Sequence, residues 1–385
     1  MTELIKFLIY DEAPELLDLR RQVRAFIEEE KSAGRIKPGP YGWAEPSSDF
    51  SRALGRKGWI GMTWPREYGG HERSAIERFV VTEELLAAGA PVRAHWVADR
   101  QSGPLLLKFG TKAQREKFLP EIAKGECYFC IGMSEADSGS DLASIRMKAT
   151  KVDGGWRVTG SKLWTSNAHR VHMMILFART GPRGESRREG VSQFLVDLSW
   201  SGITVRPIIN LAGEHDFNEV IFEDVFVPDD MVIGTIGNGW QQVTNELVYE
   251  RSGPDRWMST YHVLSGMTGK LKKFPSETRR DTVARLVARL WTMHQMSCSI
   301  AGMLENGITP HTEAALVKDL GTCFEQDIPE AARTLFPEEL RSTFPENDPF
   351  NEALRYSTLY APAYSIRGGT KEILRGIIAK GLELR

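Results

Sequence analysis

Two short stretches decide how the rest of the chain is read: Met133-Ser134-Glu135-Ala136-Asp137-Ser138-Gly139-Ser140-Asp141 and Lys162-Leu163-Trp164-Thr165-Ser166-Asn167. The first packs hydroxyls, carboxylates and a glycine into a turn that leaves a short apolar strand. It offers backbone N–H groups and serine hydroxyls to polar ring edges or phosphate oxygens. The second places an indole, a flat face for a planar ring, beside two hydroxyls. Taken alone, each stretch reads more simply as a decorated turn.

Outward from these stretches the hydrophobic period changes twice. Before them, from Glu12 to about Lys124, the pattern is helical: Leu16, Leu17, Leu19, Val23, Phe26 and Ile27 fall mostly at helical spacing among Arg and Glu. Thr82 to Ala88 and Gln114 to Ala123 read the same way, with Thr111 as N-cap of the latter. Around them, from about Cys127 to Gly234, the period becomes two. Trp156-Arg157-Val158-Thr159, Val171 to Ala178, Gln193 to Val196, Ile203 to Ile208 and Glu219 to Val227 are short β-rich runs. The polar, basic Gly181 to Gly190 reads as a hairpin loop. From Trp240 onward the period is helical again, with long helices at Thr282 to Leu304 and Thr312 to Phe324. A proline-rich connector follows from Pro329 to Phe350, then a last helix from about Thr370 to Leu384.

Composition bounds the function. The chain has 385 residues, 49 basic against 51 acidic, and a formal charge of −2. That balance argues against a nucleic-acid backbone or an anionic membrane as partner. No apolar run approaches the roughly 20 residues that span a bilayer, and the N-terminal stretch lacks a signal peptide's basic region, so a cytoplasmic protein is expected. Cys127 and Cys130 form a C-x-x-C, but no second pair or nearby histidine completes a metal site, and the segment reads as a buried strand. His71-Glu72 lacks the second histidine of a zinc helix, and His172 and His294 read as satisfied core histidines. No metal is expected. There is no phosphate-cradling G-x-x-x-x-G-K-[ST] and no G-x-G-x-x-G opening a strand–helix unit.

Together, in this α–β–α order, the motifs resemble the acyl-CoA dehydrogenase family. Gly58-Trp59-Ile60-Gly61 leading to Trp64-Pro65-Arg66-Glu67-Tyr68-Gly69-Gly70 is similar to its N-terminal helical domain, as is Phe109-Gly110-Thr111 with Gln114 and Leu119-Pro120. Phe217-Asn218-Glu219-Val220 through Val227-Pro228 is similar to its last β strands, and Gly368-Gly369-Thr370-Lys371-Glu372-Ile373 to its flavin-contacting turn. The resemblance implies an α+β multidomain fold: an N-terminal α-helical domain over 1–125, a middle antiparallel β-barrel-like domain over 126–235, and a C-terminal four-helix bundle over 236–385. It also implies FAD as cofactor, α,β-dehydrogenation of an acyl-CoA, an electron-transfer flavoprotein as acceptor, and a homodimer or homotetramer, a heteromer being the variant assembly.

By position in the motifs, Met133 and Ser134 would contact the flavin, Gly139 and Ser140 would border the cofactor, and Ser140 would also meet the pantetheine arm. Trp164, Thr165 and Ser166 would pack against the ring, while Thr370 and Glu372 would approach the cofactor at the C-terminal turn. The reaction needs a carboxylate to take the substrate's α-proton. Many members place it immediately before the C-terminal Gly-Thr, a slot filled here by Gly368. A smaller branch, including isovaleryl-CoA dehydrogenase, carries it in a Glu-Arg pair on the first helix after the β domain. Tyr249-Glu250-Arg251 matches that place, so the resemblance makes Glu250 the base, with Arg251 at the substrate and Glu246, one turn earlier, as the backup.

Two departures stand beside the matches. The family's arginine–aromatic–glycine motif for the partner subunit's FAD pyrophosphate has no counterpart in Leu271 to Arg280, and the glutamine–glycine–glycine segment before the C-terminal turn is replaced by Tyr356 to Ser365. They keep two alternatives open: a non-catalytic or half-site subunit of a heteromer, and a flavin oxidase or monooxygenase on the same fold.

Overall fold

The computed structural model describes residues 5–9, 13–36, 45–251, 253–337 and 348–384, the side chains of 247–250 excepted. The contacts divide them into two compact units, one holding 46–72 and 93–249, the other the remaining described residues.

In the unit that holds the middle of the chain, helices α2 (Ser48–Arg56), α4 (Arg93–Val97), α5 (Gly103–Phe109) and α6 (Lys112–Ala123) precede the strands. Thr111 caps α6 as expected, its side chain accepting from Gln114 N–H while the Gln114 side chain returns to Thr111 N–H. Such a reciprocal cap contributes on the order of 1 kcal/mol. The strands are β1 (Phe129–Gly132), β2 (Lys148–Val152), β3 (Gly155–Ser166), β4 (Met173–Arg179), β5 (Val191–Asp197), β6 (Ile203–Ile209), β7 (His215–Pro228) and β8 (Val232–Ile233).

They form an eight-stranded sheet: seven lie in the order β6-β7-β3-β2-β4-β5-β8, and β1 pairs with β4 off that path. The sheet is mixed, where wholly antiparallel pairing was expected: β1 runs parallel to β4, and β2 touches β4 in parallel at Lys148–Arg179. The reason is local. β1 reaches β4 only after the chain has passed through the 133–147 loop and the β2–β3 hairpin, and a crossover of that length delivers a parallel neighbour. Trp156, Val158, Met174, Leu176, Phe194, Val196, Val220 and Phe222 fill one core cluster. Ile145, Phe177, Val191 and Val243 fill another, so β4 and β5 are apolar on both faces. Helix α7 (Gly239–Arg251) leaves this sheet, and its Glu250 lies at the boundary of the two units.

The other unit is helical: α1 (Pro14–Ser32), α3 (Ala75–Ala87), α8 (Tyr261–Lys273), α9 (Glu277–Glu305), α10 (His311–Leu335), α11 (Pro349–Tyr364) and α12 (Lys371–Gly381). Leu19, Val23, Phe26 and Ile27 of α1 are buried, and Leu17 faces out. Arg20 bridges Glu83 and Glu84 at 2.7 Å each, and His294 of α9 meets Glu83 at 2.6 Å, so His294 is a satisfied histidine. The connector expected from Pro329 begins later, because α10 runs through Pro329 to Leu335. An internal proline costs about 3 kcal/mol. Phe324, Ile328 and Ala332 stay buried on the same face, and that burial outweighs the lost hydrogen bond. Residues 338–347 of the expected connector lie outside the described residues. No helix among the described residues is long and apolar enough to cross a membrane.

Candidate functional site

Strand β3 carries the second motif on an irregular stretch. Its antiparallel pairing with β7 shifts between Lys162 and Thr165, opposite Val220 and Asn218, so three steps on β3 face two on β7. Such a bulge re-aims a side chain. Trp164 has φ 61° and Asn167 has φ 57°, two left-handed non-glycine residues within four positions. Each conformation of this kind costs about 1–3 kcal/mol and persists only where its surroundings hold it. The Trp164 indole is 56% exposed and packs edge-to-face on Phe217 at 6.1 Å. Next to it Thr165 is buried and its hydroxyl has no hydrogen-bond partner. Ser166 is half-buried.

The first motif folds as a tight loop against the same strand. Glu135 and Ser138 exchange backbone hydrogen bonds at 2.9 and 3.1 Å, and the Ser138 hydroxyl donates to Asp141 C=O at 2.8 Å. Leu163 N–H donates to Ser134 C=O at 2.8 Å. The buried Lys162 ammonium donates to Met133 C=O at 3.0 Å and to Glu135 Oε1 at 2.8 Å. The Glu135 carboxylate also accepts from Arg146 N–H and Met147 N–H at 2.7 and 3.1 Å. Met133 and Ser134, half-buried, are thereby brought beside Trp164, Thr165 and Ser166, while Gly139 and Ser140 lie exposed at the loop tip.

Lys162 ties the two motifs together and had no role in the sequence reading. Its only sequence signal was a charged residue opening an otherwise β-rich run. Burial pulls Lys162 down to about 8, against the opposing pull of Glu135.

The C-terminal motif is built in the helical unit. Thr370 caps α12, its hydroxyl accepting from Ile373 N–H at 3.4 Å, and Glu372 is exposed in the first turn. A backbone hydrogen bond and then the Thr370 hydroxyl hold the Glu372 carboxyl below its usual value. Gly368 has φ 68° and Gly369 φ 106°, conformations that disfavour any side chain. A Cβ on Gly369 would also meet Arg251 Nη2 at 3.2 Å. Arg251 is buried, and its Nε donates to Gly368 C=O at 2.9 Å, so it is no solvated helix charge.

Arg367 anchors the turn from the other side, bonding Glu325 at 2.6 Å, the Ser259 hydroxyl at 2.8 Å and Asp255 C=O at 3.2 Å. Glu250 is helical, and its side chain is outside those described. The backup Glu246 is buried and takes a 3.4 Å hydrogen bond from Gln193.

Among the described residues no group of His, Cys, Asp and Glu could hold a metal. Cys127 and Cys130 are free thiols, and burial pushes Cys127 up to about 12 and Cys130 upward as well, which keeps the nucleophilic thiolate out of reach. His172 is hydrogen-bonded as expected, its Nδ1 accepting from Tyr128 N–H at 3.1 Å, but it lies exposed on the surface, stacked on Tyr128, and not in the core.

The exposed indole, the partnerless Thr165 hydroxyl beside it and the open space around Gly139 fit a planar ring with a polar edge, such as a flavin. The chain matches the family models described as acyl-CoA dehydrogenase N-terminal domain, over residues 13–126, and middle domain, over 130–225. It is 31% identical to the acyl-CoA dehydrogenase IpdE1 of Mycobacterium tuberculosis over 86% of both chains. It is 32% identical to FadE34 of the same organism over 88% of this chain, and it spans about half, 46%, of that relative's length. Among solved structures it resembles the Tcur3481-Tcur3483 steroid ACAD, with TM-score 0.85 and 27% identity over 97% of this chain and 98% of that one. The ChsE4-ChsE5 complex from Mycobacterium tuberculosis follows, with TM-score 0.84 and 26% identity over 98% of this chain and 99% of that one. With its motifs, its fold and these relatives agreeing, the chain belongs to the acyl-CoA dehydrogenase family of FAD-dependent oxidoreductases.

Proposed function

We propose that this chain catalyses the α,β-dehydrogenation of an acyl-CoA thioester to the 2-enoyl-CoA, with Glu250 as the base. When bound, FAD supplies the ring that accepts the hydride from the substrate's β-carbon. The observation that carries the reading is the Trp164–Ser166 bulge, which holds an exposed indole beside a buried hydroxyl that lacks a partner. Met133, Ser134, Trp164, Thr165 and Ser166 would hold the ring, Gly139 and Ser140 would border the rest of the cofactor and the pantetheine arm, and Thr370 and Glu372 would approach a cofactor at the C-terminal turn.

Glu250 takes the α-proton as the β-hydride departs. Two observations support that choice: Gly368, at φ 68°, leaves no carboxylate in the other slot, and Glu246 is already hydrogen-bonded by Gln193. Arg251, tied to Gly368 C=O, fixes the end of the helix that carries Glu250 and lies toward the substrate. Exclusion of water by a bound thioester would move a carboxylate base toward working pH. The electrons pass on to an electron-transfer flavoprotein.

The substrate is a bulky acyl-CoA with a ring-bearing acyl group, and the working form is an assembly with a second, related chain. The steroid ACAD and the two-chain complex among the similar structures support both statements, as does the departure at Leu271 to Arg280. Anaerobic titration of the purified protein with straight-chain, branched and ring-bearing acyl-CoAs tests the proposal, with bleaching of the flavin band expected for the ring-bearing class. A chain that stays colourless with added FAD would instead be a non-catalytic subunit, and rapid reaction of the bleached protein with air would make it an oxidase.

A further inference from the structure

The strained bulge at Trp164–Asn167 is held from β7 by a network that no part of the proposed chemistry uses. Asn218 is fully buried directly across the bulge, and its amide nitrogen donates to Thr165 C=O at 2.9 Å. That commits the amide oxygen to accepting. It takes two bonds, from His169 Nδ1 at 3.1 Å and from His215 Nε2 at 2.7 Å. The two imidazoles stack with centroids 3.6 Å apart and planes 12° apart. Because one oxygen serves both rings, each must present an N–H to it, which sets both tautomers.

His169 then has its Nε2 bare, and that nitrogen is buried without a partner. A proton placed there would have no acceptor and would face a second ring in van der Waals contact. Arg93, itself paired with Asp216 at 3.4 Å, and Arg170 add positive charge, while Asp216 and Glu214 bring the nearby negative charge. Asp216 is further engaged by Asn210 at 3.0 Å, and its carbonyl accepts Asn167 N–H at 2.9 Å, tying the far end of the bulge to the same strand.

We propose that Asn218, locked by the stacked pair His169 and His215, is the positioning residue that keeps the Trp164–Ser166 bulge in its flavin-facing form. The claim rests on the flavin reading of that bulge. It makes cofactor binding weaken in acid. Burial first, then His215, Arg170 and Arg93, hold His169 below its ordinary 6.5, so the intact stack is the proton-poor state. As pH falls below that ordinary value, any state with a broken stack takes up protons and gains ground.

The test titrates FAD into stripped full-length protein, followed by flavin absorbance, from about pH 5.5 to about pH 8 across the histidine range. Wild type should bind FAD and bind it less tightly on the acid side. Asn218→Leu should bind about tenfold more weakly at neutral pH, with an altered visible band, since the loss of one good hydrogen-bonded constraint is of that order. His215→Phe keeps a ring in the stack but removes one donor and one charge from beside a protonated His169, and because the burial of His169 remains, the acid-side decline in FAD affinity should become shallower. Wild-type affinity and spectrum in Asn218→Leu would overturn the proposal. So would an unchanged acid-side decline in His215→Phe, which decides the matter alone if Asn218→Leu does not fold. Failure of the wild type itself to take up FAD would overturn the flavin reading and this proposal with it.

Discussion

Two turns in this molecule solve opposite problems. The Trp164–Asn167 bulge puts non-glycine residues at φ 61° and 57° and leaves an indole exposed. The Arg367–Thr370 turn puts glycines at φ 68° and 106°, so that the backbone can meet Arg251 closely without strain. In the first, strain is retained so that large side chains face outward. In the second, side chains are removed so that a guanidinium can approach a carbonyl. A segment that keeps its strain beside an unpartnered hydroxyl is poised for a ligand, and one whose strain glycine has relieved is a support.

The largest expected effect comes from cutting the tie behind the bulge. Lys162→Met leaves the Glu135 carboxylate with only the Arg146 and Met147 N–H donors, and removing the charged partner of a buried pair costs up to about 3–5 kcal/mol. Urea unfolding should register that loss; a change below about 1 kcal/mol would mean that the loop does not depend on the pair.

The same residue gives a pH signature. Its pKa is near 8 in the fold against 10.5 ordinarily, so between those values the unfolded chain holds more protons. Stability from this group is therefore present in full above 10.5 and is lost as pH falls toward 8. The wild type should gain on Lys162→Met by up to about 1.4 kcal/mol per pH unit as pH rises through that window. Parallel stability curves for the two proteins would contradict the burial argument.

The two turns should then answer oppositely to alanine. Gly368→Ala forces a Cβ into a left-handed conformation and should cost about 1–2 kcal/mol of stability. Trp164→Ala should change stability by less than about 0.5 kcal/mol because the indole is exposed. It should nevertheless weaken FAD binding roughly tenfold, the size of a lost ring-on-ring contact. Equal stability losses in both variants would erase the contrast. Thr370→Ala, the loss of one helix cap, should cost about 1 kcal/mol or less in thermal unfolding.

Much of this was legible in the sequence because its signals are local. Thr111 with Gln114 predicted a capped helix, and the β-rich runs became strands. Trp164, Thr165, Met133 and Ser134 stood out because planar-ring and hydroxyl chemistry needs those residue types close together. What could not be read depends on partners far along the chain. Lys162 looks like any strand lysine until Met133 and Glu135 fold back on it. Asn218 and His215 gain meaning only when β7 registers with β3 across a bulge. Pro329 pointed to a helix end, yet α10 continues because Ile328 and Ala332 stay buried.

The central claim concerns Glu250, and one measurement reaches it most directly. Wild-type protein and Glu250→Gln are mixed anaerobically with the same acyl-CoA and the flavin band is followed over a single turnover. The account predicts that both bind the thioester with comparable affinity, and that only the wild type bleaches, the variant being slower by at least about a thousandfold for the loss of a positioned base. A variant that bleaches at a rate near wild type would contradict it and move the proton abstraction to another residue.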